Sequence, residues 1–291
     1  MNVSEQSAQA FEQYRGLLFA IAYRMLGSAS DAEDIVQEAF VRWLQADDEK
    51  VQSPKAYLST IVVRLCINQA ARAQREVYVG SWLPEPILTS QRPEMVETAI
   101  LGETLSFAFL VLLEQLGPLE RAVFLLREVF EYEYHEIAEI VNKTEANCRQ
   151  IFRRARQHLD QHRPRFDVSR EQQARLTEQF LRASSSGDMQ GLLDLLTDDI
   201  VFIGDGGGKA PVAHKPVRGR DKVARGTMGA LRFFAQMQAR LEEVNGQPAI
   251  VGYLNGQPCG VLFCEIEGER IRRIYAVANP DKLRWLSERP A

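Results

Sequence analysis

From Phe11 to Leu159 the apolar residues of this chain recur at intervals of three and four. Past Ser169 one further helical run gives way to strand-length segments parted by glycine turns. That change of period restricts the fold more than any other feature. Intervals of three and four place side chains on one stripe of a helix, whereas alternation places them on one face of a strand. A helical part must therefore precede a part that mixes helices with a sheet. At 291 residues the chain is long enough for two or three domains.

In the first helical block Phe11, Tyr14, Leu18, Ile21 and Met25 form one stripe, ended near Gly27. Ser30 and Glu33 match a capping box, and Ile35, Val36, Ala39, Phe40 and Trp43 supply the buried face of a second helix. Asp31, Asp34 and Glu38 lie on another face, whose plain reading is solvated surface. Ser53 caps and Pro54 opens a third helix, expected to reach Arg75. Along it Arg64, Asn68, Arg72 and Arg75 share one stripe, and no acidic residue lies between Lys55 and Arg75. A cationic stripe without counter-charges suits phosphate tracking and a solvated helix equally. The formal net charge of −4 makes any basic face local.

The second helical block carries the most information. Pro118 starts a helix bearing Val123, Phe124, Leu125, Leu126 and Val129, and a short helix follows with Tyr134, Ile137, Ala138 and Val141 inward. Asn142-Lys143 makes a turn, and Thr144 caps a last helix. There Cys148, Ile151, Phe152, Ala155 and Leu159 fall on one side, and Ala146, Arg149, Gln150, Arg153 and Arg156 on the other. Short helix, tight turn and a helix with an Arg- and Gln-rich face make a helix-turn-helix pattern. Arg pairs bidentately with guanine and Gln with adenine in the major groove, while further Arg hold phosphates.

Residues 8–162 resemble an extracytoplasmic-function sigma factor of bacterial RNA polymerase. The resemblance is carried by FEQYRGLLFAIAYRMLGSASDAEDIVQEAFVRWL, SPKAYLSTIVVRLCINQAAR and ERAVFLLREVFEYEYHEIAEIVNKTEANCRQIFRRAR. It implies two all-α domains, 8–76 and 103–162, joined by a linker over 77–102. It implies that Asp34, Gln37, Glu38 and Arg42 bind the clamp helices of the polymerase's largest subunit. Arg64, Asn68, Arg72 and Arg75 would face the melted minus-10 element of promoter DNA. Thr144, Glu145, Ala146, Asn147, Arg149, Gln150, Arg153 and Arg154 would meet the minus-35 element. Such a role asks for two basic surfaces mounted apart, with opened bases held by stacking and phosphate contacts. It asks for no catalytic residue, cofactor or metal in this chain.

Residues 169–291 read as an α+β domain. Ser169 with Gln172 caps a helix, a strand leads to a glycine loop, and after another helix four short strands suggest an antiparallel meander. Asn245-Gly246 and Asn255-Gly256 are hairpin signals. The block resembles the SnoaL-like cone of the nuclear transport factor 2 superfamily. WLPEP (Trp82, Leu83, Pro84, Glu85, Pro86), DGGGK (Asp205, Gly206, Gly207, Gly208, Lys209) and NPDKL (Asn279, Pro280, Asp281, Lys282, Leu283) look like the signatures of sigma factors with a fused SnoaL-like extension. That resemblance implies regulation in cis.

Two prolines forbid a helix at WLPEP, yet Trp82 and Leu83 are unsuited to an exposed linker. They are expected to dock near the 205–209 loop, with 279–283 as a second closing segment. GGGK lacks the spacing and the Ser/Thr of a phosphate loop. Three alternatives stay open for the last domain and the whole: a small-molecule sensor with a ligand in the cone, an enzyme using Asp199, Asp205 or His214, and a helix-turn-helix repressor. Four cysteines without a CxxC pair and only four His argue against zinc and for free thiols in a reducing cytoplasm. No apolar run reaches the roughly 18–20 residues of a membrane span, and the N-terminus lacks the pattern of a signal peptide.

Overall fold

The computed structural model describes residues 3–46, 51, 53–73, 78–89, 106–161, 168–233 and 237–287. The chain forms two compact units: residues 1–76, 93–105 and 109–163, and residues 77–92, 106–108 and 164–291. The fold class is the expected one, all-α modules followed by an α+β domain. The compact units group these modules in two. Both helical modules share the first unit, and the start of the linker belongs to the second.

In the first unit α1 (Val3–Leu26), α2 (Ala29–Leu44) and α3 (Pro54–Ala73) pack against one another. Gly27, at φ 65°, ends α1 in the left-handed conformation that glycine adopts without strain. The cap of α2 is Ser28, whose hydroxyl accepts from the Asp31 amide at 3.1 Å, and not Ser30, which lies inside the helix. Both serines fit the spacing, but the turn at Gly27 places Ser28 at the boundary. The Ser53 hydroxyl accepts from the Ala56 amide, as the sequence suggests.

The remainder of α4 (Phe107–Leu113), with α5 (Pro118–Glu128), α6 (Tyr134–Val141) and α7 (Glu145–Asp160), completes this unit. The first three helices and the last three are joined by side chains of opposite modules. Ser59 of α3 hydrogen-bonds the Tyr132 hydroxyl at 2.7 Å in the interior. The buried Arg121 of α5 donates to the Met25 carbonyl at the end of α1. Both bonds lie within the first unit.

The second unit contains α8 (Arg170–Ser186), α9 (Met189–Leu195), α10 (Arg220–Phe233) and six strands: β1 (Leu196–Asp205), β2 (Val217–Arg218), β3 (Gln238–Val244), β4 (Gln247–Leu254), β5 (Gln257–Glu267) and β6 (Arg270–Val277). The sheet order is β2-β1-β6-β5-β4-β3. β3 to β6 form the expected meander, but β1 runs parallel to β6, so the sheet is mixed. The two Asn-Gly pairs make the hairpin turns, with Asn245, Gly246, Asn255 and Gly256 all at positive φ.

One face of the sheet packs Ile250, Cys264 and Ile274 against Phe180, Leu192 and Val223 of the helices. Burial pushes the Cys264 thiol up to about 12, so it stays protonated in the core. The alternate residues of β5 and β6 form the opposite face. There Phe107 stacks on Phe263 at 4.0 Å and lies 5.8 Å from the Tyr275 ring.

Candidate functional site

The Arg-rich face of α7 is presented as the pattern requires. Cys148, Ala155 and Leu159 anchor the helix, while Ala146, Asn147, Gln150, Arg153, Arg154 and Arg156 are exposed. The Thr144 hydroxyl accepts from the Asn147 amide at 3.3 Å, and α6 ends at Asn142 in a left-handed conformation. The exposed Arg149 is already engaged, paired with Glu145 at 2.9 Å and 4.8 Å over the Tyr134 ring.

On α3, Asn68 and Arg72 are exposed, and Arg75 lies outside the described residues. Arg64, also exposed, is engaged within the first unit. It donates to the Ile140 carbonyl at 2.9 Å and to that of Glu139 at 3.0 Å, both in the last turn of α6. A cation there also complements the negative end of the helix dipole. Arg64→Ala should destabilise the first unit by about 1–2 kcal/mol. Urea denaturation and faster amide exchange in α6 would report it, and an unchanged midpoint would count against the contact.

On α2, Asp34, Gln37, Glu38 and Arg42 are all exposed, and Arg42 pairs with Glu38 at 2.8 Å. Val41 and Leu44 are 49% and 46% exposed beside them. Sequence reading missed these two. Their signal was two large apolar residues outside the buried stripe of α2. Polar groups around exposed apolar side chains make a surface suited to a protein partner.

Residues 78–89 form an extended strap along the second unit. Asp205, at the end of β1 and fully buried, is its anchor. One carboxylate oxygen accepts from the Leu83 amide at 2.9 Å and pairs with Lys282 at 2.7 Å. The other accepts from the Tyr78 hydroxyl at 2.6 Å and the Gly207 amide at 3.1 Å. Burial, then the bond to Asp205, push the Tyr78 phenol above its usual range. Lys282, itself 6% exposed, donates to the Leu83 carbonyl at 2.6 Å and lies 4.2 Å above the Trp82 ring. Gly207 sits at φ 58°, and a Cβ there would meet the Asn279 amide group at 2.3 Å, so no other residue fits.

The far end of the strap is held at the β3–β4 turn. Asn245 exchanges bonds with Ile87 through its side chain and its backbone, at 3.0 and 2.9 Å. Leu88 bridges Val244 in antiparallel fashion. Leu83, Ile87 and Leu88 are buried to 2% exposure or less. Such burial contributes about 1.5–3 kcal/mol per side chain before ordering costs. Pro84, Glu85 and Pro86 are buried between them. Of the glycine loop, Gly206 is buried and Gly208 and Lys209 are exposed; Lys209 pairs with Asp281, not with the strap. Pro280 is exposed and Leu283 buried. Tyr78 and Asn245 lie outside the three motifs, and neither carries a signal that would have found it.

Two family patterns match the chain: Sigma-70 region 2 over residues 10–76, and Sigma-70, region 4, over residues 106–159. The ECF RNA polymerase sigma factor SigJ of Mycobacterium tuberculosis is 34% identical over 300 residues, spanning 97% of this chain and 93% of the relative. The chain belongs to the ECF sigma factors. A probable ECF RNA polymerase sigma factor, SigI of the same organism, is 30% identical over 97% of each chain. The crystal structure of SigJ superimposes with a TM-score of 0.76 at 32% identity, covering 97% of this sigma factor and 98% of that chain. The likeness thus extends through the C-terminal domain. In this sigma factor Asp199 and His214 are exposed, while Asp205 is committed to the strap. No hydrogen bond joins any two of them among the described residues.

Proposed function

We propose that this sigma factor is restrained in cis by its own C-terminal domain, which holds the strap that follows the region 2 module. The observation that carries the reading is the double grip on Leu83: its amide and its carbonyl are taken by the buried Asp205–Lys282 pair. Lys209, Asn279, Pro280, Asp281 and Leu283 complete the receptor around that grip. The α2 surface, with Val41 and Leu44 added, engages the clamp helices of the polymerase's largest subunit. Arg64, Asn68, Arg72 and Arg75 face the minus-10 element, and Thr144 to Arg154 of the α7 region the minus-35 element.

Engagement of Arg64 by the α6 carbonyls supports the restraint, because a guanidinium bound to two carbonyls is withheld from phosphate. Initiation then requires the two modules to part and Arg64 to be released. The reading is tested by reconstituted transcription with core polymerase. Trp82→Ala removes the ring under Lys282, worth about 0.5–2 kcal/mol when desolvated. Initiation from a fixed promoter is expected to rise severalfold over the full-length chain, and a chain ending at residue 165 is expected to rise further. Equal output from all three would refute restraint in cis.

A further inference from the structure

A cavity of about 590 Å³ opens in the second unit between the sheet and helices α8 and α10. That is a size suited to a small organic ligand. Phe180, Phe202, Val223, Ile250 and Leu262 are among the apolar residues of its wall. Among them stands Ser184 of α8, 6% exposed, whose hydroxyl has no hydrogen-bond partner among the described residues. A helical hydroxyl ordinarily bonds back to a carbonyl of the preceding turn. Thr177 and Ser186 of the same helix do so, to Gln173 and Ala183. A buried donor left unpaired in an apolar wall is costly unless something else meets it.

Two further wall residues point the same way. Gly226 sits inside α10, where glycine is unfavourable, and an added Cβ would meet nothing within 4 Å. The helix keeps open space where a side chain would fit. Lys222, one turn earlier, lines the cavity, is exposed, and has no ion pair among the described residues.

We propose that this cavity binds an amphipathic carboxylate whose apolar body carries one further oxygen. The body fills the apolar wall, the oxygen meets Ser184, and the carboxylate lies at Lys222. Lys209, Ala210, Pro280 and Leu283 also line the cavity, next to Asp205 and Lys282, which grip the strap. Occupancy therefore tightens the strap; this second step rests on the proposed restraint, whereas binding does not.

The test uses the full-length chain, anilinonaphthalene sulfonate as a fluorescent reporter, and ω-hydroxydodecanoate as competitor. Saturable reporter binding is expected, displaced by the hydroxy acid at about threefold lower concentration than by its methyl ester. Ser184→Ala removes an unpartnered group and should keep the fold while weakening the hydroxy acid about tenfold. Lys222→Gln should erase the preference over the ester, and Gly226→Leu should fill the space and abolish displacement. Amide exchange over residues 82–88 should slow at saturation. Absence of saturable binding, or displacement untouched by Ser184→Ala and Gly226→Leu, overturns the site. Unchanged exchange with intact binding overturns the coupling alone, and neither result bears on the transcription test of restraint.

Discussion

Replacing Lys282 by Met is expected to destabilise the C-terminal domain by about 3–5 kcal/mol. Asp205 and the Lys282 side chain are 0% and 7% exposed, and their charges meet at 2.7 Å. Without the ammonium, the Asp205 carboxylate keeps the amides of Leu83 and Gly207 and the Tyr78 hydroxyl but has no counter-charge. A buried charge left alone costs far more than the pair is worth over an apolar substitute. The double variant Asp205→Asn with Lys282→Met should therefore recover part of the loss, because a neutral amide still accepts from the Leu83 amide. Urea denaturation of the full chain, with proteolysis at residues 78–89 as a second reading, measures both. A single-variant loss under about 1 kcal/mol would mean that the strap is held elsewhere.

The second large effect lies at the opposite end of the mechanism. Arg153→Glu with Arg154→Glu is expected to lower holoenzyme affinity for the promoter at least about a hundredfold. The slope of log affinity against log salt should become shallower by about two. Both side chains are exposed, and α7 is anchored by Cys148, Ala155 and Leu159, so the helix itself should survive. The same reversal at the exposed Arg182 of α8 serves as the control and should leave promoter affinity unchanged. An unaltered salt slope in the double variant would remove α7 from the DNA.

Local chemistry was legible in the sequence, and long-range partnership was not. Thr144 announced the start of α7, and the two Asn-Gly pairs announced hairpins, because capping and left-handed turns depend on a few adjacent residues. The WLPEP segment was legible as something that docks, since a tryptophan and a leucine beside two helix-breaking prolines are unsuited to an exposed linker. The parallel pairing of β1 with β6 joins residues some seventy positions apart and leaves no periodic trace. The engagement of Arg64 within the first unit was not legible, because no sequence pattern shows that helix-end carbonyls from α6 lie in its reach. The partner of Lys282, expected only as part of a closing segment, was hidden for the same reason: its counter-ion is Asp205, at the end of β1.

Strap and receptor are parts of one polypeptide, and this bears on gene dosage. A separate inhibitor must be made in proportion to its target, and excess target escapes it. Here the receptor is present at a fixed effective concentration around its own strap, independent of how many copies the cell makes. Under the proposed restraint, overproduction alone would leave every molecule as restrained as the first, and release would come from a competitor for the strap or a change in the receptor.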